Sequence, residues 1–313
     1  MRIIFMGTPE FAVASLDILI QNNYDVVAVV TVPDKPAGRG QQIQQSAVKK
    51  YALEKGLKVL QPEKLKDESF INELIELKAD LQIVVAFRML PEVVWNMPPL
   101  GTYNLHGSLL PKYRGAAPIN WAVINGETES GVTSFKLKHE IDTGSMLFQE
   151  KVPIGKTTTA GELHDALMHV GAELILKTVK VIESGNYELK PQDDSQSIHA
   201  PKLFKETCKI KWNNPVEKIY NLIRGLSPYP AAFTEFIDKN NQSLGIKIFS
   251  SDIEEANHSQ TPGDVLSDGK TFLKVACSNG FIHIKELQMA GKKRMLVEEF
   301  LRGFKAEPGL KFL

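Results

Sequence analysis

The chain has 313 residues, with 37 Lys and Arg balanced by 37 Asp and Glu, so no whole-molecule field calls for a polyanionic partner. A hydrophobic fraction of 43% and a charged fraction of 24% exclude a disordered chain and a membrane-embedded one. Two cysteines, Cys208 and Cys277, without a C-x-x-C pair argue against a zinc site or a disulfide scaffold and fit a reducing, cytoplasmic compartment.

The length fits two domains of roughly 100–200 residues. Their charge differs mildly: from Pro201 onward Lys and Arg number 17 against 13 Asp and Glu, and before it 20 against 24. The first apolar run, Ile3 to Met6, is too short for a signal h-region or a membrane span.

Arg2–Met6 reads as a buried strand stopped by Gly7-Thr-Pro-Glu, followed by a helix over Phe11–Ile20 and a β-branched strand over Tyr24–Thr31. Helices are expected over Ala47–Lys55 and Phe70–Lys78, and strands over Leu81–Phe87 and Tyr103–His106. Strands alternating with helices predict βαβ units and a mostly parallel sheet covered on both faces. Ile119–Val123 reads as a helix. Val132–Lys138 and Met146–Val152 read as two strands joined through Asp142-Thr-Gly144.

Apolar spacing at positions 163, 166, 167, 170, 174 and 178 predicts a core-facing helix ending near Ser184. Residues 186–206, rich in Gln, Asp, Ser, Pro and Lys, read as a linker. A helix over Val216–Leu226 and short strands near 231–237, 245–249, 271–276 and 280–287 predict a small β-barrel domain over 207–313.

The chemistry concentrates in Asn104-Leu-His106-Gly-Ser-Leu-Leu-Pro111. Side chains alternate along a strand, so Asn104 and His106 share one face and Tyr103 and Leu105 the other. An amide that can hold an oxyanion beside an imidazole that can move a proton suits attack on a carbonyl. Ligands in such sheets bind beyond the carboxyl ends of the strands, where this pair falls. Asp142 offers a carboxylate, and read alone it also fits the start of an Asp-Thr-Gly turn.

The apolar loops Phe87-Arg88-Met89-Leu90 and Ser108-Leu109-Leu110-Pro111 could clasp a flat heterocycle through main-chain groups. Pro33–Gly40, with Lys35 and Arg39, is an exposed basic loop suited to phosphate, and Lys292-Lys293-Arg294 is a second basic cluster. The first strand lacks G-x-G-x-x-G, and Glu10 sits where a pyrophosphate would lie, which argues against a dinucleotide site.

Several runs together resemble the methionyl-tRNA formyltransferases, among the tetrahydrofolate-dependent formyltransferases. They are Met6-Gly-Thr-Pro-Glu-Phe-Ala12, Pro33–Gly40, Asn104–Pro111, Arg114-Gly-Ala-Ala-Pro118, Asp142–Gly144, Ile223–Pro230 and Glu299–Gly303. The resemblance spans nearly the whole chain. It implies a Rossmann-like catalytic domain over 1–185 and an OB-like barrel that binds tRNA.

The same resemblance implies that Asn104, His106 and Asp142 are catalytic. Ser108–Pro111 and Phe87–Leu90 would line the folate site, and Lys35 and Arg39 would lie on the loop that enters the tRNA acceptor end. The implied donor is 10-formyltetrahydrofolate, without a metal, and the implied acceptor is initiator methionyl-tRNA; a monomer is expected. Where many relatives have a longer segment containing Ala-Tyr-Gly, this chain has Ala86-Phe-Arg-Met-Leu-Pro91, which bears on the folate contacts. A nucleotide-sugar N-formyltransferase would share the trio, and a catalytically silent RNA-binding protein would keep the basic loops.

Overall fold

The computed structural model describes residues 1–37, 42–237, 241–304 and 309–313. Arg39 lies outside the described residues. The elements begin with β1 (Arg2–Gly7), α1 (Glu10–Gln21), β2 (Asp25–Val30), β3 (Lys35–Ala37), β4 (Gln42–Gln44) and α2 (Ala47–Glu54). Then come β5 (Val59–Leu60), α3 (Glu68–Glu76), β6 (Leu81–Val85), α4 (Glu92–Trp95), β7 (Thr102–His106) and β8 (Arg114–Gly115). These are followed by α5 (Pro118–Ile124), β9 (Glu129–Lys136), β10 (Met146–Pro153), α6 (Ala160–Ser184), β11 (His199–Ala200), α7 (Lys205–Cys208) and α8 (Val216–Leu226). The last are β12 (Ala232–Ile237), β13 (Ser243–Glu255), β14 (Val265–Ser267), β15 (Leu273–Ala276), β16 (Gly280–Met289), β17 (Met295–Leu296) and α9 (Val297–Gly303).

Two units form. The first comprises Met1–Gly115, Ser130–Pro153 and His164–Ala200, the second Ala116–Glu129, Ile154–Leu163 and Pro201–Leu313. Residues 186–200, whose polar composition suggested a linker, thus belong to the first unit.

In the first unit a seven-stranded sheet runs in the order β10-β9-β7-β6-β1-β2-β5. From β5 to β7 all neighbours are parallel, and β9 is antiparallel to β7. The parallel strands are buried on both faces: Ile4, Met6, Ala28, Val30 and Val84 pack with Phe70 and Leu74 of α3 on one side. Such strands read as continuous apolar runs, which is why they were visible in the sequence.

The chain steps outward from β1 to β2 and β5, then returns to β6 and β7 on the other side. The switch point therefore lies between β1 and β6, and sheets of this kind bind ligands beyond the strand ends at such a point. Gly7 closes β1 there, and a Cβ on it would sit 2.7 Å from Ala12 Cβ and 3.1 Å from Val85 O. β6 ends two residues earlier than expected because Ala86 turns to φ 47°. The β3–β4 hairpin, which had read as a loop, pairs Lys35 with Gln44.

In the second unit an antiparallel sheet runs β12-β13-β16-β15-β14, with β17 added on β16. The strand expected at 245–249 extends over Ser243–Glu255 and bends through irregular register near Ser250. Phe312 bridges Phe236 on β12 and Lys311 bridges Asp264 beside β14, so one segment ties together both edges of the curled sheet. Its core gathers Trp212, Ile219, Ile223, Ile246, Ile282, Leu287 and Phe300. Burial there pushes the Cys277 thiol up to about 12, which keeps it protonated and inert near neutral pH.

Candidate active site

β7 delivers Asn104 and His106 to the carboxyl end of the sheet beside β6. Tyr103 and Leu105 turn the other way into the core: the Tyr103 hydroxyl donates to the Tyr187 hydroxyl at 3.1 Å, and Leu105 packs against Gly171 of α6. The site face holds the polar pair, as period-2 alternation requires.

His106 is 6% exposed. Its Nε2 lies 2.8 Å from the Tyr113 carbonyl oxygen, and a carbonyl only accepts, so Nε2 carries a hydrogen. The other nitrogen, Nδ1, faces Asp142 Oδ2 at 3.7 Å. That distance is longer than a hydrogen bond and leaves the carboxylate facing the imidazole. The same Asp142 oxygen accepts the Gly115 N–H at 2.9 Å.

Asp142 stands on the β9–β10 connection at φ 55°, a conformation that Asp tolerates better than most residues. The backbone there runs hard against β9: a Cβ on Gly144 would lie 1.7 Å from Lys136 O, so glycine is required. Asn104 Oδ1 is buried and, among the described residues, has no hydrogen-bond partner. A buried amide oxygen left unpaired costs free energy, which marks it as a group waiting for a donor.

The Ser108–Pro111 loop follows His106 directly. Its polar groups are largely occupied: Ser108 Oγ donates to Lys112 O, the Thr133 hydroxyl donates to Ser108 O, and Leu110 N donates to Thr133 Oγ1. Gln149 Nε2 donates to Leu110 O, and Leu109 O accepts from Lys112 N. The loop is therefore rigid, and what it has to offer a ligand is mainly apolar side chain.

After β6, Phe87 is half-buried, Leu90 is buried and Met89 is exposed. Arg88 donates to the carbonyls of Pro62 and Glu63, and its guanidinium lies 5.5 Å from the Phe87 ring. Burial lowers its pKa, yet a guanidinium stays charged.

Lys35 is exposed on β3. The base of its hairpin is anchored by Asp34, which accepts from Lys49 Nζ at 2.6 Å and Gln61 Nε2 at 2.8 Å. In the second unit Lys292 and Lys293 are exposed. Arg294 is instead doubly paired with Glu286 and lies 4.3 Å over the Phe249 ring. No group of three or more metal-ligating side chains occurs among the described residues, and no described helix is long and apolar enough to cross a membrane.

Sequence reasoning missed the main-chain anchors Tyr113 O and Gly115 N–H, and the side chains Thr133, Gln149 and Gln192. Backbone anchors carry no side-chain signature. Gln192 sat in a stretch whose composition suggested only a connector.

A formyl transferase model matches residues 1–179, and a formyl transferase C-terminal domain model matches residues 202–305. The chain belongs to the formyl transferase family. A methionyl-tRNA formyltransferase of Bacteroides fragilis is 56% identical over 308 residues, covering 97% of this chain and 95% of the relative. One from Flavobacterium johnsoniae is 57% identical over 304 residues, covering 97% and 96%. Among solved structures, the sugar 3N-formyl transferase WlaRD covers 94% of this chain and 99% of its own at TM-score 0.66 and 22% identity. HypX of Aquifex aeolicus, solved with tetrahydrofolic acid, covers 98% of this chain and 48% of its own at TM-score 0.64 and 18% identity. At those identities the two structures speak for the formyl transferase fold alone.

Proposed function

We propose that this enzyme transfers the formyl group of 10-formyltetrahydrofolate to the α-amine of methionine esterified to initiator tRNA, giving N-formylmethionyl-tRNA. The observation that carries the reading is identity above 50% along nearly the whole chain, both domains included, with methionyl-tRNA formyltransferases. The site supports it independently, because a buried unpaired amide beside an imidazole–carboxylate pair suits acyl transfer to an amine.

The folate, when bound, supplies a formyl group already activated by its attachment to an aryl amine nitrogen. Phe87, Met89 and Leu90 with Leu109 and Pro111 would hold its flat ring system by apolar contact, since most polar groups of the 108–111 loop are engaged.

His106 Nε2 is committed to Tyr113 O, so Nδ1 is the nitrogen that acts. In its protonated form Nδ1–H donates to the formyl oxygen as that oxygen gains charge, and Asp142 stabilises the imidazolium from the carboxylate side. Asn104 lies two residues before it on the same strand face. Its amide oxygen accepts an N–H of the attacking amine, or with the amide turned over its NH₂ donates to the oxyanion. Asp142 takes the proton that the amine sheds, directly or through water. His106 returns one to the departing nitrogen, so the protons balance.

Lys35 and Arg39 would contact the tRNA acceptor end, with Lys292 and Lys293 adding phosphate contacts from the barrel. Phosphate contacts position a nucleic acid without reading its sequence. Incubation with 10-formyltetrahydrofolate and methionyl initiator tRNA, followed by mild base release, should yield N-formylmethionine. Recovery of free methionine alone would overturn the proposal.

A further inference from the structure

The segment that follows α6 packs against the loop that carries Asp142. Lys190 exchanges main-chain hydrogen bonds with Met146 at 2.7 and 2.8 Å, which brings residues 190–200 alongside the Asp142 loop. Both N–H bonds of the Gln192 amide are then spent on that loop. Nε2 donates to Asp142 O and to Gly144 O, each at 2.8 Å.

The other end of the same amide is fixed by Arg114. Its Nε and Nη2 donate to Gln192 Oε1 at 2.9 and 2.6 Å, and Nη2 also reaches Asp194 Oδ1 at 2.6 Å. The Arg114 side chain is only 12% exposed, so this planar fork works in a partly dry setting where charge-assisted bonds hold geometry well. The next residue, Gly115, supplies the N–H that meets the Asp142 carboxylate, and the residue before, Tyr113, supplies the carbonyl that holds His106.

β8 is itself set by this segment. Arg114 N donates to Ile198 O, and Arg114–Gly115 pairs in parallel with His199–Ala200. Gly115 has φ 122°, and a Cβ on it would stand 2.6 Å from Ala200 O.

We propose that Gln192, oriented by Arg114, is a positioning residue that fixes the Asp142 carboxylate opposite His106 Nδ1. Gln192 touches backbone alone on the Asp142 loop, so it acts through Asp142. The strained backbone at Asp142 has two carbonyls pinned by one amide, and releasing them lets the carboxylate swing away from the imidazole. This rests on the reading of Asp142 and His106 as the acid–base pair.

Gln192→Glu is the sharpest test, because the side chain keeps its shape and its attraction to Arg114 but loses both N–H donors. A displacement of about 1 Å in a reacting group can cost up to about 10²-fold. We expect kcat to fall at least about tenfold, with KM for both substrates within about twofold and the melting temperature retained. Gln192→Asn, too short to span the two carbonyls, should behave alike. The amide resonance of Gly115, which reports its bond to Asp142, should shift in both variants.

Wild-type kcat with an unmoved Gly115 resonance in a folded Gln192→Glu protein would overturn the inference. A fall in melting temperature with kcat unchanged would do the same. Should the wild-type enzyme fail to formylate methionyl-tRNA, the proposed substrate falls, while the Gly115 resonance still decides the role of Gln192.

Discussion

His106 Nδ1 and Asp142 Oδ2 face each other across 3.7 Å, and each is held from behind by main chain of the same three-residue segment, Tyr113 O for the imidazole and Gly115 N–H for the carboxylate. Neither side chain reached this position by local sequence preference. One ends a buried strand, the other sits on a loop 36 positions further on, and a short stretch of backbone sets the distance between them.

His106→Ala should lower kcat by about 10²–10⁴, the usual range for a removed acid–base group. Methionyl-tRNA affinity, measured by filter binding, should stay within about twofold. Turnover retained to within tenfold would remove His106 from the chemistry.

Asn104→Ala should cost about 10²–10³ in kcat, as loss of an oxyanion-type contact does. It also removes a buried amide oxygen without a partner, so its melting temperature should not fall as that of a paired buried amide would. Kinetics and calorimetry on the same preparation check both halves.

Gly115→Ala should damage stability and chemistry together. Its φ of 122° is strained for any other residue, at a cost of order 1–3 kcal/mol, and the added methyl meets Ala200 O. The melting temperature should drop, and kcat should drop with it as the N–H leaves Asp142. A kcat held at the wild-type level in the folded variant would contradict the anchoring role.

Asp34 is held below the usual carboxylate range, first by its bond to Lys49 and then by Gln61. A carboxyl whose folded pKa is depressed adds stability above its unfolded pKa and loses it as pH falls through the folded one. Asp34→Asn should therefore melt below the wild type at pH 7. The gap should close as pH falls below about 4, near the ordinary Asp value. A gap independent of pH would contradict the charge on Asp34 as its source.

Salt dependence of tRNA binding should separate the members of the basic cluster on the second unit. Lys292→Ala and Lys293→Ala should each lower the slope of log K against log salt by about 1, as for a lost phosphate contact. Arg294→Ala should change it less, because Glu286 already neutralises that guanidinium.

The parallel sheet was legible because its strands are largely buried and read as apolar runs, as in Val26–Val30 and Ile83–Val85. Asn104 and His106 were legible because period-2 alternation placed them together on a strand end. Asp142 was visible as a turn residue, and its approach to His106 comes from tertiary structure. Gln192 was not legible: Pro191-Gln-Asp-Asp-Ser has the composition of a connector, and the partners of the Gln192 side chain, at 114, 142 and 144, are all distant in sequence. The β3–β4 hairpin was missed for a similar reason. Lys35-Pro-Ala has little strand propensity, and Asp34, tied to Lys49 and Gln61, supplies the anchor at its base.

Transfer of labelled formyl from 10-formyltetrahydrofolate, with methionyl initiator tRNA and a UDP-aminosugar offered in parallel, separates the two acceptors in one experiment. Label should appear on the tRNA-bound methionine and not on the sugar, and should be abolished in His106→Ala. Label on the sugar alone, or tRNA bound without any transfer, would contradict it.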